Sequence, residues 1–122
     1  MPRKPSRKTL KTKLDKAWSI AVKKRAGNVC EVCKSSKSLN AHHIVGRRNL
    51  RLRWELYNGV CLCAKHHVFG MNSAHQNSEW FHFWLEEHRW EDLAKVNVEM
   101  VKGIKKWTMD ELQDKLKELE GN

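Results

Sequence analysis

"AHHIVGRR", residues 41–48, sets two histidines side by side between a small residue and the apolar pair Ile44–Val45. In a strand, neighbouring side chains point to opposite faces. His42 and His43 would then meet different surroundings and do different jobs. The plainer alternative is a solvated turn with two idle histidines, and the sequence on either side has to separate the two.

"SLNAHHIV" reads as a strand centred on residues 40–45, and "GVCLC", residues 59–63, reads as a second. "CEVC", residues 30–33, reads as a tight turn, and "RNLRLRWELYN" as an arginine-rich connection. "AKHHVFGM" reads as a short helix after the second strand. Upstream, Leu14, Trp18, Ala21 and Val22 recur at helical spacing within residues 11–25, and Gly27–Asn28 is a suitable stop. Residues 1–10, with two prolines and many charges, are expected to form a basic flexible arm.

The last third reads as helical. Asn77 or Ser78 can cap a helix whose Trp80, Phe81, Phe83, Trp84 and Leu85 form a wide apolar face. A break near His88–Arg89 precedes "WEDLAKV". "TMDE" is a capping box, with Thr108 at the N-cap, and Leu112, Leu116 and Leu119 follow on one face. Helical spacing and an acidic balance make these tryptophans core residues rather than base-stacking platforms.

Composition limits the function. The 122 residues suit one domain, divided into the arm (1–10), a helix plus Cys/His-rich core (11–77) and a helical extension of the same compact unit (78–122). The net charge of +10 points to a polyanionic partner, nucleic acid before membrane. Residues 1–25 carry ten Lys or Arg against one acid, residues 26–78 seven against two, and residues 79–122 seven against eleven. The positive field thus belongs to the arm and the centre. No apolar run approaches a membrane span, and the basic start lacks the apolar stretch of a secretory signal. A cytoplasmic setting is expected, where cysteines are metal ligands more often than disulfides.

Cys30 and Cys33 form C-x2-C, and Cys63 and His66 form C-x2-H. A two-residue gap lets both donors of a pair reach one ion, and four thiolate or imidazole ligands suit structural zinc. Cys61 is a rival to Cys63, since both point to one face of a strand. Only Cys63 makes the C-x2-H pair. Buried thiols without metal are the alternative.

In order, "CEVC", "AHHI" and "YNGVCLCAKHH" resemble the HNH endonucleases, over residues 30–75. "HHIVGRR", "RWELYNGVCLC" and "KHH" look most like the small HNH proteins of bacteriophages and prophages. The resemblance implies an α+β fold, a ββα-metal hairpin and helix with a zinc knuckle, flanked by N- and C-terminal helices. It implies that His43 is the general base, that Asn58 orients it through the hairpin, and that His67 binds the catalytic metal. His42 stands where many members have aspartate, and both types bind metal. Cys30, Cys33, Cys63 and His66 match the structural zinc ligands, although many members have cysteine where His66 stands.

The function so implied is metal-dependent hydrolysis of DNA phosphodiesters, leaving a 5′-phosphate. A structural Zn²⁺ and one catalytic cation (Mn²⁺, Mg²⁺, Co²⁺ or Ni²⁺) are expected. One site per chain suits nicking, and a double-strand cut would take two visits or a dimer. Phage-type wording suggests genome packaging alongside a terminase in a bacterial host's cytoplasm; a homing or restriction role is the other option. His75 could assist the metal or a phosphate, or cap the next helix. Arg47, Arg48, Arg51 and Arg53 could grip phosphates near the cut, and the N-terminal basic residues could track the backbone. A noncatalytic zinc-knuckle DNA-binding module is the competing class, but such a module has no need of His43, Asn58 and His67.

Overall fold

A computed structural model of the chain describes residues 5–121. Helix α1 spans Arg7–Arg25, strand β1 Leu39–His43, strand β2 Gly59–Cys63, helix α2 Ser78–His88, helix α3 Trp90–Met100 and helix α4 Met109–Glu120. A 3-10 turn, Leu56–Asn58, leads into β2, and a π-helical turn, Lys65–Phe69, follows it. The fold is α+β, with β1 and β2 forming a two-stranded antiparallel sheet in which His43 lies opposite Gly59 and Leu39 opposite Cys63.

Helix α1 begins earlier than its apolar spacing indicates. The Ser6 hydroxyl accepts the Thr9 N–H at 3.1 Å, and Leu10 is buried. Residues 7–10 are therefore the first turn of a core helix rather than arm, and residues 1–4 lie outside the described residues. The helix ends where expected. Gly27 and Asn28 take positive φ, and their N–H groups close on the Lys24 and Lys23 carbonyls.

One face of the hairpin packs on α1, against which α4 also packs. Leu10, Leu14, Trp18, Ala21 and Val22 meet Trp54, Cys61, Trp107, Leu112 and Leu119 there. The three buried indoles are satisfied: Trp18 donates to the Glu55 carbonyl, Trp54 to the Asp15 carboxylate and Trp107 to the Leu50 carbonyl. The other face, through Val60 and Leu62, meets Phe81 and Leu85 of α2. On α2 the expected wide apolar face narrows: Phe81 and Leu85 are buried, Trp80 and Trp84 are half-buried, and Phe83 is exposed. The capping box at Thr108–Glu111 forms, and Asn77 caps α2.

Gly59 permits the approach of α1 to the sheet. A Cβ there would lie 2.4 Å from Val22 Cγ2 and 2.7 Å from Trp18 Cζ2. Strand β1 stops at His43, short of the expected residue 45, because Asn58 takes over from the ladder. The Ile44 N–H donates to the Asn58 carbonyl, and the Val45 N–H and C=O bond to the Asn58 side-chain amide.

Asp15 of α1 holds the connecting loop. It accepts two hydrogen bonds from Arg53 (3.0 and 2.7 Å), one from Arg47 (2.9 Å) and one from Trp54 (2.8 Å). Burial pulls its carboxyl upward, but the Arg53 and Trp54 hydrogen bonds and the two guanidinium charges outweigh it and hold the carboxyl below the usual range.

Two outcomes follow. Gly59→Ala should destabilise the protein by about 1–3 kcal/mol, the usual cost of overpacking, in chemical denaturation. Because Asp15 is depressed in the folded state, its stabilisation is present above its unfolded pKa of about 3.9 and is lost as pH falls through the folded value. Asp15→Asn should therefore be less stable than the parent at pH 7 and show a flatter decline of stability below about pH 4.

Candidate metal centres

The hairpin sends its two adjacent histidines to opposite sides. His42 packs nearly perpendicular to Phe81 and lies with His67 and His75, its ring centroid 5.1 Å from that of His67 and 5.0 Å from that of His75. His43 faces α1, stacked on Trp18 at 3.9 Å with 9° between the planes. The second adjacent pair, His66 and His67, is likewise divided, by the tight turn that follows β2.

Cys30, Cys33, Cys63 and His66 bring their donor atoms within 4.8 Å of one another and could hold a metal ion such as zinc. Cys33 Sγ lies 3.7 Å from Cys63 Sγ, and His66 Nδ1 lies 3.8 Å from Cys30 Sγ and 3.3 Å from Cys63 Sγ. A tetrahedron with Zn–S of about 2.3 Å and Zn–N of about 2.0–2.1 Å requires edges of roughly 3.5–3.8 Å. The donor set and its spacing both fit. Burial would raise the Cys30 thiol, but backbone N–H groups of Cys33, Cys63 and Val32 carry it below its ordinary value, as suits a thiolate ligand. Cys61 is not part of this group. It packs against α1, and burial and the Glu31 carboxylate push it up to about 11.

Glu31, inside the first knuckle turn, is tied to β2 twice: its N–H donates to the Cys61 carbonyl, and its carboxylate accepts the Cys61 N–H at 2.7 Å. Arg89, at the junction of α2 and α3, donates to Glu31, to Asp92 and to the Gly59 carbonyl. Nothing in the sequence distinguishes Glu31 or Arg89 from surface charges, since their partners are remote in the chain.

His42, His67 and His75 form a second group whose donor atoms also lie within 4.8 Å of one another. His75 Nε2 and His67 Nε2 are 3.1 Å apart, a separation that one ion bound to both rings accommodates. Burial, and then the neighbouring rings His67, His75 and His43, push His42 down to about 3. Burial, and then His75, lower His67. Neutral rings are the metal-binding form. Of the two readings of His75, its ring joins this group, while Asn77 caps α2.

His43 Nε2 lies 3.0 Å from the Arg53 carbonyl. A carbonyl only accepts, so Nε2 carries the hydrogen and Nδ1 carries the basic lone pair. Burial lowers the imidazolium of His43 against the opposing pull of the Arg53 carbonyl, and so favours the neutral ring. Asn58 is fully buried, and its Nδ2 also donates to the Leu52 carbonyl, one residue before Arg53.

The four arginines divide. Arg53 is committed to Asp15, and Arg51 to the Gly103 carbonyl and Glu99. Arg47, with a side chain 62 % exposed, and the exposed Arg48 face solvent. Arg47 joins Arg7, Lys8 and Lys11 around an open cleft of about 520 Å³. No described helix is long and apolar enough to cross a membrane.

Compared with known proteins, the chain matches no family model, no curated protein and no solved structure.

Purified protein should contain about one tightly held zinc per chain, and chelation should lower its melting temperature sharply. Cys30→Ser should lose the zinc. Cys61→Ala should keep it, because that thiol lies outside the cluster. Metal analysis finding no zinc, with stability indifferent to chelator, would remove the knuckle assignment.

Proposed function

We propose that this chain is a metal-dependent DNA endonuclease of the HNH type, its β1–β2 hairpin and the helical turn after it forming a ββα-metal site. The observation that carries the reading is the division of His42 and His43. One ring joins His67 and His75, a group fit for a divalent ion. The other is oriented by Trp18 and the Arg53 carbonyl and kept in its neutral form by burial. The charge distribution and the cleft lined by Arg7, Lys8, Lys11 and Arg47 support a polyanionic substrate.

Hydrolysis of a phosphodiester requires an activated water and stabilisation of the charge that develops on the phosphate. His43 Nδ1 takes a proton from the attacking water. The hydrogen bond from Nε2 to the Arg53 carbonyl fixes the tautomer and strengthens as the ring becomes imidazolium. Asn58 holds Val45 and Leu52, and so sets the loop that presents that carbonyl. His42, His67 and His75 would hold the divalent ion, which supplies charge stabilisation to the phosphate and the departing oxygen. Three neutral imidazoles favour Mn²⁺, Co²⁺ or Ni²⁺ over Mg²⁺.

The test is cleavage of supercoiled plasmid across a panel of divalent ions. His43→Ala should cut about 10²–10⁴-fold more slowly while still binding the ion in calorimetry. His67→Ala should lose both cutting and ion binding, with zinc content near normal in each variant. His42→Asp should shift the preference towards Mg²⁺. Parental cutting by His43→Ala would overturn the mechanism. Tight DNA binding with no cutting under any ion would make the chain a zinc-knuckle binding module.

A further inference from the structure

Residues 66–75 form a loop closed on itself. The Ala74 N–H donates to the His66 carbonyl and the His75 N–H to the His67 carbonyl. Inside it, the buried Ser73 ties the segment down: its hydroxyl donates to the Val68 carbonyl and accepts the Gln76 N–H. Gly70 completes the turn. Its N–H bonds the Lys65 carbonyl at 2.7 Å, and a Cβ at that position would lie 2.5 Å from the same oxygen.

This pinned loop points two large apolar side chains into water. Phe69 is 81 % exposed and Met71 89 % exposed. Phe69 lies two residues after His67 and Met71 four before His75, so both sit on the loop that joins two members of the His cluster. No acidic residue occurs from Leu56 to Ser78, and the exposed neighbours Lys65, Asn72 and Gln76 are hydrogen-bond donors. An apolar pair in an acid-free, donor-rich stretch of chain matches a polyanion with apolar faces. Stacked bases on a phosphate backbone have that chemistry.

We propose that Phe69 and Met71 form a wedge that enters the base stack of a nucleic acid beside the phosphodiester held at the His cluster, an inference that rests on the phosphodiester reading of that cluster. The wedge opens a base step and holds the backbone in register over the site. Lys65 meets the neighbouring phosphate.

The test uses the full chain and short DNA duplexes carrying the fluorescent base 2-aminopurine at successive positions, without added divalent ion. The parent should raise the fluorescence at one step, because unstacking relieves quenching. The double variant Phe69→Ala/Met71→Ala should abolish that rise and weaken binding by at least about fivefold, the low end for losing an aromatic–base contact. Its salt dependence should stay unchanged, because the phosphate contacts remain. Both side chains are exposed, so circular dichroism and zinc content should match the parent. Fluorescence and affinity equal to the parent's in the double variant would overturn the wedge. So would parental self-association that the double variant loses, which would assign the patch to a second copy of the chain. Plasmid cutting is measured separately. A fluorescence rise without cutting under any ion would end the nuclease reading and leave the wedge standing.

Discussion

A two-stranded hairpin is marginal by itself, and this one exists because both of its faces are covered. The close approach of α1 at Gly59 covers the first. With no side chain there, Trp18 and Val22 reach the strand itself, and Trp18 lies flat on His43 directly across the ladder. Phe81 of α2 covers the second and packs against His42 with the two rings nearly perpendicular. Once both faces are buried, the register cannot slip by one residue without exchanging every side chain between them. The separation of two adjacent histidines onto opposite faces is thus a property of the packing.

Electrostatics completes what packing begins. Asp15 gathers Arg53, Arg47 and Trp54 from the loop between the strands, and the carbonyl of that same Arg53 receives the His43 ring. Helix α1, the loop and the candidate base form one rigid chain of contacts. On the other side, Glu31 and Arg89 join the first knuckle turn to β2 and to the α2–α3 junction. Apart from the exposed Arg47, the charged groups in these networks are paired and largely buried, where loss of one partner costs more than it does at an open surface.

Much of this arrangement is legible in the sequence because it is local. Two-residue gaps bring Cys30 to Cys33 and Cys63 to His66, alternation divides His42 from His43, and the caps at Asn77 and Thr108 depend on residues three positions away. What the sequence hides is long-range. Arg53 reads as a phosphate ligand until Asp15, on a distant helix, is seen to hold it. Residues 7–10 read as arm because their charges mask Leu10, which only α4 and its surroundings bury. His75 stays ambiguous until the loop closes and brings it to His67. The early end of β1 follows from the Asn58 amide standing in for the ladder, a substitution that no periodicity announces.

The two groups that could hold metal ions share one loop. His66 belongs to the knuckle and His67 to the His cluster, and the loop between His67 and His75 is closed by hydrogen bonds from Ala74 to His66 and from His75 to His67. An ion on Cys30, Cys33, Cys63 and His66 would fix one end of that loop, and so fix where His67 and His75 stand relative to His42. Such an ion contributes folding free energy as well as geometry. Such an ion would act on the His cluster without touching it. It would restrict the backbone that carries two of the three rings, and an ion on those rings would meet donors already in place rather than having to order them.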